Sequence, residues 1–428
     1  MFKKLIQTKL ERYVRKYFKK HPEVKLVVVT GSVGKTSTKI AIATVLSESF
    51  RVRLHEGNHN SELSAPLAML GVDFPTNIRN LRQWLRVFSA AKERIKEPTD
   101  VDVVVQELGT DRIGQVPHYS TYLKPDIAVV TAVSAEHMEF FKTMDNVAKE
   151  ELASANFSAK ALINRDDIDG TYAQYLTNDH INTYGTSGTA EYHFLDNDFS
   201  VEKGHTGLLV VPEWEEPVQA TIKVLGEHNL RPAIAAGAVG IKLGMSSDAI
   251  QKGLLKVRAV SGRMNVLRGL KSTTIIDDTY NSSPLAAESA LKTLYSLSVP
   301  QKIAVLGSMN ELGESSQVEH EALGMLCDPS ELNFVVTVGA DAEKYLAPAA
   351  RKRGCQVKSF TSALDAGAFV HGIIEQEGVI LFKGSQGSIY LEEAIKIILH
   401  STQEESQLVR QSAAWMKIKN DFFLSLEV

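Results

Sequence analysis

Lys35, Thr36 and Ser37 follow two glycines, Gly31 and Gly34, in the run VKLVVVTGSVGKTST at 24–38. These are the components of a phosphate cradle. Glycines let a turn point its backbone N–H groups inward, and the start of a helix adds a dipole that favours anions. A lysine at this place reaches the terminal phosphates of a nucleotide, and the hydroxyl after it reaches Mg²⁺. The full G-x-x-x-x-G-K-[ST] pattern is not met, because Val29 stands where its first glycine belongs. A Gly-rich turn with an incidental lysine is the plainer reading; the apolar strand ahead and the helix behind favour nucleotide binding.

Other polar residues sit where a strand should end. Glu107 closes VDVVVQELG, where a carboxylate can share a Mg²⁺ with Thr36. A strand-end glutamate taken alone is more often a solvated loop charge. His137 follows the strand DIAVVTAV and suits a metal ligand or an acid/base, although a single histidine is more often structural. Asn58, His59 and Asn60 occupy a polar loop before a helix, fit for phosphate, metal or substrate; an ordinary turn with a helix cap would look similar. Further on, DDTYNSSP (277–284) puts two carboxylates and an amide after a strand, and Arg263 in SGRMN can contact phosphates. VLGSMNELGE (305–314) and FKGSQGS (382–388) are two more strand-end loops, one acidic and one basic and Gly-rich.

The elements needed to hold these residues are legible as a pattern. Val27, Val28 and Val29 form a continuous β-branched run, as in a parallel strand buried on both faces. Strands at 101–109 and 126–133, each followed by helix-compatible sequence, predict a parallel α/β sheet. Short alternating segments at 185–225 predict a small antiparallel β appendage, and 229–257 a helical stretch. Strands at 273–278, 302–307, 334–339 and 378–384 then predict a second, Rossmann-like α/β domain. The expected division is a helix at 1–23, a P-loop domain at 24–260 and a C-terminal domain at 261–428, with the active site in the crevice between the two domains. Ligands collect at the carboxyl ends of strands in such sheets, which is where both sets of motifs fall.

Composition narrows the class. The chain has 428 residues, 44% hydrophobic and 23% charged, as in ordinary globular proteins. A net charge of -4 argues against general nucleic-acid binding. Cys327 and Cys355 match no zinc spacing and suit buried thiols in a reducing cytoplasm. No run is apolar enough to span a bilayer, and no signal peptide is evident. MFKKLIQTKLERYVRKYFKKH is a basic amphipathic helix with Phe2, Leu5, Ile6, Leu10, Tyr13, Val14, Tyr17 and Phe18 on one stripe, suited either to an anionic membrane surface or to docking on the protein itself. Physical reasoning reaches a Mg²⁺-dependent nucleotide enzyme and does not separate kinase, ligase and ATPase.

With TGSVGKTSTK, GNHNSELSAPLAML, ELG at 107–109, SAEH at 134–137, GEHNL at 226–230, SGRMNV, DDTYNSSP, VLGSMNELGE with His320 beyond it, and FKGS in this order, the chain resembles the Mur ligases. Among them it is most similar to the type that adds D-Ala-D-Ala to a cell-wall peptide precursor. The resemblance covers about residues 24–390 and implies ATP-dependent amide formation through an acyl phosphate, by a cytoplasmic monomer acting on small-molecule or peptide substrates. It implies that Gly31, Ser32, Gly34, Lys35, Thr36, Ser37, Asn229, Arg263 and Asp278 bind ATP. Thr36, Glu107, His137 and Glu151 would hold Mg²⁺, with Lys35, His137 and Glu151 catalytic. Asn58, Asn60, Asn281, Lys383 and Ser385 would face substrate.

Three departures carry expectations. Only about 24 residues precede the first strand, where family members have a separate UDP-binding domain, so the acceptor is expected to be held by its peptide end. Glu151 stands, without gaps from His137, where many members carry a carbamylated lysine; a glutamate already has the carboxylate, and Lys149 is the alternative. Pro232 replaces the second asparagine of G-x-H-N-x-x-N, removing a polar contact near the nucleotide. The rival readings are a Mur-like amide ligase with a non-UDP acceptor and a nucleotide-binding scaffold that no longer ligates.

Overall fold

The buried valines of Lys25–Thr30 form the middle of a parallel sheet, because β-branched side chains pack on both faces of a strand covered by helices. The computed structural model describes residues 2–55, 59–201 and 203–426, with Phe2 described by its backbone alone. Asn58, a predicted substrate residue, lies outside the described residues.

Two compact units emerge. The first comprises residues 1–134, 140–224 and 229–258; the second comprises 135–139, 225–228 and 259–428. In the first, the strands in chain order are β1 (Lys25–Thr30), β2 (Val52–Leu54), β3 (Val103–Glu107), β4 (Ile127–Val130), β5 (Lys160–Asn164), β6 (Ile181–Gly185), β7 (Tyr192–Ser200), β8 (Gly204–Val210) and β9 (Val218–Ile222). They lie side by side as β2-β3-β1-β4-β5-β6-β7-β8-β9. Pairing is parallel as far as β7 and antiparallel from β7 to β9. The expected β appendage is therefore an extension of the same sheet, joined through Tyr184 opposite Tyr192. Helices Leu230–Lys242 and Ser247–Lys256 cover it with Leu230, Ile234, Val239, Ile250 and Leu254, in one core with Val27, Val29 and Leu209.

Four helices of this unit bear on the site or its surroundings: α1 (Phe2–Lys20), α2 (Lys35–Leu46), α3 (Ser64–Leu70) and α4 (Leu81–Lys96). The apolar stripe of α1 resolves the alternative left by the sequence. Ile6, Leu10, Tyr13, Val14 and Tyr17 are buried against α3 and α4, with Tyr13 edge-on to Phe88. Of the two alternatives, docking on the protein is the one these five residues take; Leu5, on the same stripe by sequence, stays exposed.

The second unit has β10 (Asn265–Arg268), β11 (Thr274–Asp278), β12 (Lys302–Gly307), β13 (Phe334–Val338), β14 (Val357–Phe360) and β15 (Val379–Lys383). Their spatial order is β10-β11-β15-β12-β13-β14, parallel except for the β10–β11 edge. β11 and β15 lie next to each other, so Asp278 and Lys383 are register partners at their carboxyl ends. Among the described residues no helix is long and apolar enough to cross a membrane.

Candidate active site

β1 feeds the chain into Gly31 at φ +124° and Gly34 at φ +85°, and α2 begins at Lys35. A Cβ at Gly31 would lie 2.2 Å from Thr131 Oγ1 and 2.7 Å from Ala132 N, so only glycine lets the loop rest on the segment after β4. Thr131 fastens that loop: its Oγ1 is 2.6 Å from Val33 O and 3.0 Å from Thr30 O. Ser32 N donates to Ala132 O, and Ser134 N donates to Ser32 Oγ at 3.1 Å. Ser134 Oγ is buried and, among the described residues, has no hydrogen-bond partner. Lys35 Nζ donates to Gly31 O and Ser32 O, which keeps its ammonium over the loop. An orphaned hydroxyl, a cradle that a Cβ would fill and the start of a 12-residue helix fit a phosphate group.

Beside the cradle, Thr36 Oγ1 donates to Glu107 Oε2 at 3.0 Å, and both residues are buried. Asn60 Nδ2 donates to Glu107 Oε1 at 3.1 Å, and Lys39 Nζ lies 3.6 Å from Oε2. Gly109 admits Asn60, since a Cβ there would stand 2.7 Å from Asn60 Cγ. Hard oxygen donors of this kind suit Mg²⁺. The His59 ring centroid lies 3.6 Å from that of His55 with the rings tilted at 41°, and burial, with His55 and Lys39 nearby, lowers the His59 pKa.

Glu151 is buried beneath the same loop and accepts Gly31 N at 2.6 Å. Lys149 is exposed, its Nζ 5.0 Å from the Tyr175 ring, and two residues of helix separate its direction from that of Glu151 by about half a turn. The adjacent Glu150 is committed elsewhere, accepting Gly114 N and Val116 N at 2.7 and 2.6 Å. His137, at φ +49°, belongs to the second unit; its Nδ1 is 3.2 Å from Glu311 Oε2 and its Nε2 3.6 Å from Glu136 Oε1. Among the described residues no three or more His, Cys, Asp or Glu side chains are grouped to hold a metal ion. Asn229 stands at the N-cap of Leu230–Lys242 without capping it through its side chain.

In the second unit the predicted residues do converge. Asp278 Oδ2 pairs with Lys383 Nζ at 2.8 Å, and Lys383 also donates to Asn281 O at 2.9 Å. Asp278 Oδ1 accepts Met264 N, and the neighbouring Arg263 guanidinium lies 4.2 Å from the Tyr280 ring centroid. Ser385 Oγ accepts Asn310 N at 2.8 Å. Asp277 is fully buried, and its pKa is pushed up to about 6 by burial, opposed by bonds from Thr279 and Gly262. His320 is a structural residue: Nε2 accepts Met309 N, Nδ1 faces Ser316 O at 2.7 Å, and burial lowers its pKa.

Sequence reasoning missed Lys39, Thr131 and Arg410. Lys39 follows Lys35 by one helical turn, a spacing that could have flagged it. Arg410 carries no local signal, yet it donates to Glu392 through Nε and Nη2 at 2.8 and 2.7 Å and to Thr279 O and Tyr280 O at 2.7 and 3.0 Å.

Residues 29–240 match the Mur ligase middle domain, and residues 262–386 match the Mur ligase, glutamate ligase domain. The chain is 28% identical to the UDP-N-acetylmuramoyl-tripeptide--D-alanyl-D-alanine ligase of Bacillus subtilis, over 88% of its own length and 76% of that protein's. In fold it is similar to MurF from Acinetobacter baumannii, with a TM-score of 0.74 and 23% identity over 90% of this chain and 78% of that one. It is also similar to the MurF ligase from Thermotoga maritima in complex with ADP, at 0.73 and 22% over 91% and 83%.

Proposed function

This chain belongs to the Mur ligase family, and from that premise we propose that it uses ATP and Mg²⁺ to join a carboxylate to an amine, adding D-Ala-D-Ala to a UDP-N-acetylmuramoyl tripeptide. The observation that carries the reading is the buried Thr36–Glu107 pair set beside a glycine cradle that carries Lys35. Bound Mg·ATP would supply the phosphoryl group that activates the acceptor carboxylate.

The chain's own residues supply position and charge. The loop amides and Lys35 hold phosphate oxygens and offset the charge that develops on them. Thr36 and Glu107 offer oxygen ligands to Mg²⁺, while Asn60 at Oε1 and Lys39 beside Oε2 help to fix the Glu107 carboxylate. Glu151 places a negative charge directly under the loop. Anionic phosphates tolerate that charge only with cations between, which ties binding to Lys35 and to Mg²⁺. In the second unit Asp278 and Lys383 hold the DDTYNSSP loop in shape, leaving Asn281 exposed for the incoming amine.

The test is phosphate release from ATP with a panel of UDP-muramoyl peptides and amines, product masses being read in parallel. Release should require both partners, with a product equal to acceptor plus amine less one water. ATP turnover with no new amide would overturn the proposal.

A further inference from the structure

Two helices of the first unit share a surface that the ligase chemistry leaves unused. Lys9 Nζ lies 3.8 Å over the Phe88 ring, Tyr13 meets the same ring, and Lys20 Nζ donates to Lys96 O. Residues 9–13 are thus level with 88 and residue 20 with 96, so α1 and α4 run parallel, side by side. Leu5 precedes Lys9 by four residues and Leu85 precedes Phe88 by three, which places both on the flanks that line the seam, one turn toward the N-terminal ends. Leu81 lies one further turn along the same flank of α4. These three leucines are 58–66% exposed, and Ile78 just before α4 is 54% exposed. Four open aliphatic side chains therefore gather at one end of the helix pair.

Around them the charge is mostly basic, with Lys3 paired to Glu62 and Arg94 to Asp100. α1 carries eight basic residues and one acidic, and that acid, Glu11, faces His118 at 2.8 Å. α4 carries five basic residues and one acidic, with Arg82, Arg86, Lys92 and Lys96 exposed. This field belongs to a chain whose net charge is -4, so the basic residues are concentrated here. Basic side chains around protruding aliphatic tips complement an anionic lipid surface, where phosphates meet the cations and acyl chains accept the leucines. Nucleic acid fits less well. It would use rings for base stacking, and Tyr13, Tyr17, Trp84 and Phe88 are buried.

We propose that the paired outer faces of α1 and α4, with Leu5, Ile78, Leu81 and Leu85 at their N-terminal end, dock this protein on an anionic membrane surface. Ile6, Leu10, Tyr13, Val14 and Tyr17, which pack α1 onto the protein, stay buried in this mode, and contact is made by the exposed flank that carries Leu5. The surface is independent of the proposed ligase chemistry.

The test is co-sedimentation of the full chain with vesicles of phosphatidylcholine alone and of phosphatidylcholine with phosphatidylglycerol, at low and high salt. Binding is expected only to the anionic vesicles and should fall as salt screens the charges. Arg82→Ser with Arg86→Ser should weaken it about 30-fold, from about 1 kcal/mol for each basic side chain at such a surface. Leu81→Ser with Leu85→Ser should weaken it by a factor that salt leaves unchanged. All four positions are exposed, and thermal melts of the variants check that the fold persists. Absence of binding to anionic vesicles, equal binding to neutral ones, indifference to both variant pairs, or tighter binding to an oligonucleotide than to vesicles would each overturn the inference.

Discussion

Replacing Glu151 by glutamine separates its structural bond from its charge. The carboxylate is 2% exposed and accepts Gly31 N at 2.6 Å. A hydrogen bond to a charged group contributes about 1.5–3 kcal/mol and a neutral one about 0.5–1.5. Glutamine can still accept from Gly31, so Glu151→Gln should cost about 1 kcal/mol of stability, read as a small shift in a urea melt. A domain with about 5–15 kcal/mol of stability stays folded after that loss. Turnover should fall much further, by about 10² or more, if the charge under the loop helps to hold Mg²⁺ against the phosphates. Higher Mg²⁺ should recover part of it. Because the carboxylate is built in, wild-type activity should not respond to bicarbonate depletion, and Lys149→Arg should be nearly silent. A Glu151→Gln protein with close to normal turnover, or a carboxylated Lys149 found by mass spectrometry, would refute the assignment.

Three further outcomes are expected. Lys35→Ala should reduce ATP-dependent ligation by about 10² or more while the melting temperature changes little, since the bonds from Nζ to Gly31 O and Ser32 O stay within its own loop; near-normal ligation by the folded variant would remove the P-loop assignment. Asp277 binds its proton more tightly in the folded state, at about 6 against 3.8, so stability should fall by about 3 kcal/mol as pH rises from about 4 to about 6 and level off above. Denaturant melts across that window should show the slope in wild type and lose it in Asp277→Asn; an unchanged slope would show that the carboxyl is not the source. Arg410→Ala should destabilise the second unit by about 3–5 kcal/mol, because among the described residues Glu392, 0% exposed, would keep Lys419, 3.5 Å away, as its cationic partner. Arg410→Lys should recover little of this in a thermal melt, as an ammonium cannot make the two-pronged contact.

The sequence determined the parts that depend on local order along the chain. A buried β-branched run, two glycines and a lysine at helix start are one continuous segment, and the structure forms them as strand, loop and α2. Glu107 and Asp278 were legible for the same reason, since a carboxylate that follows an apolar run must emerge at the strand's carboxyl end. Short strands escaped: β2 has three residues, and β10 and β14 are four-residue edges whose alternation is too brief to read. The antiparallel strands were visible, but that they extend the main sheet depends on the pairing of β6 with β7, which no local pattern records.

Tertiary structure decided which polar groups meet. Spacing from His137 suggested Glu151, yet only the fold shows its carboxylate under Gly31, 120 residues away in sequence, with Lys149 on the outer side of the same helix. Lys383 meets Asp278 because β11 and β15 are neighbours in the sheet, and Arg410 reaches the loop after β11 from beyond the last strand. The N-terminal helix is the clearest division. Its amphipathic period was written in the sequence, but which partner the apolar face takes was settled by α3 and α4, whose own exposed apolar surface it covers. Periodicity fixes a face, and only the presence of a complementary surface within reach fixes what that face is buried against.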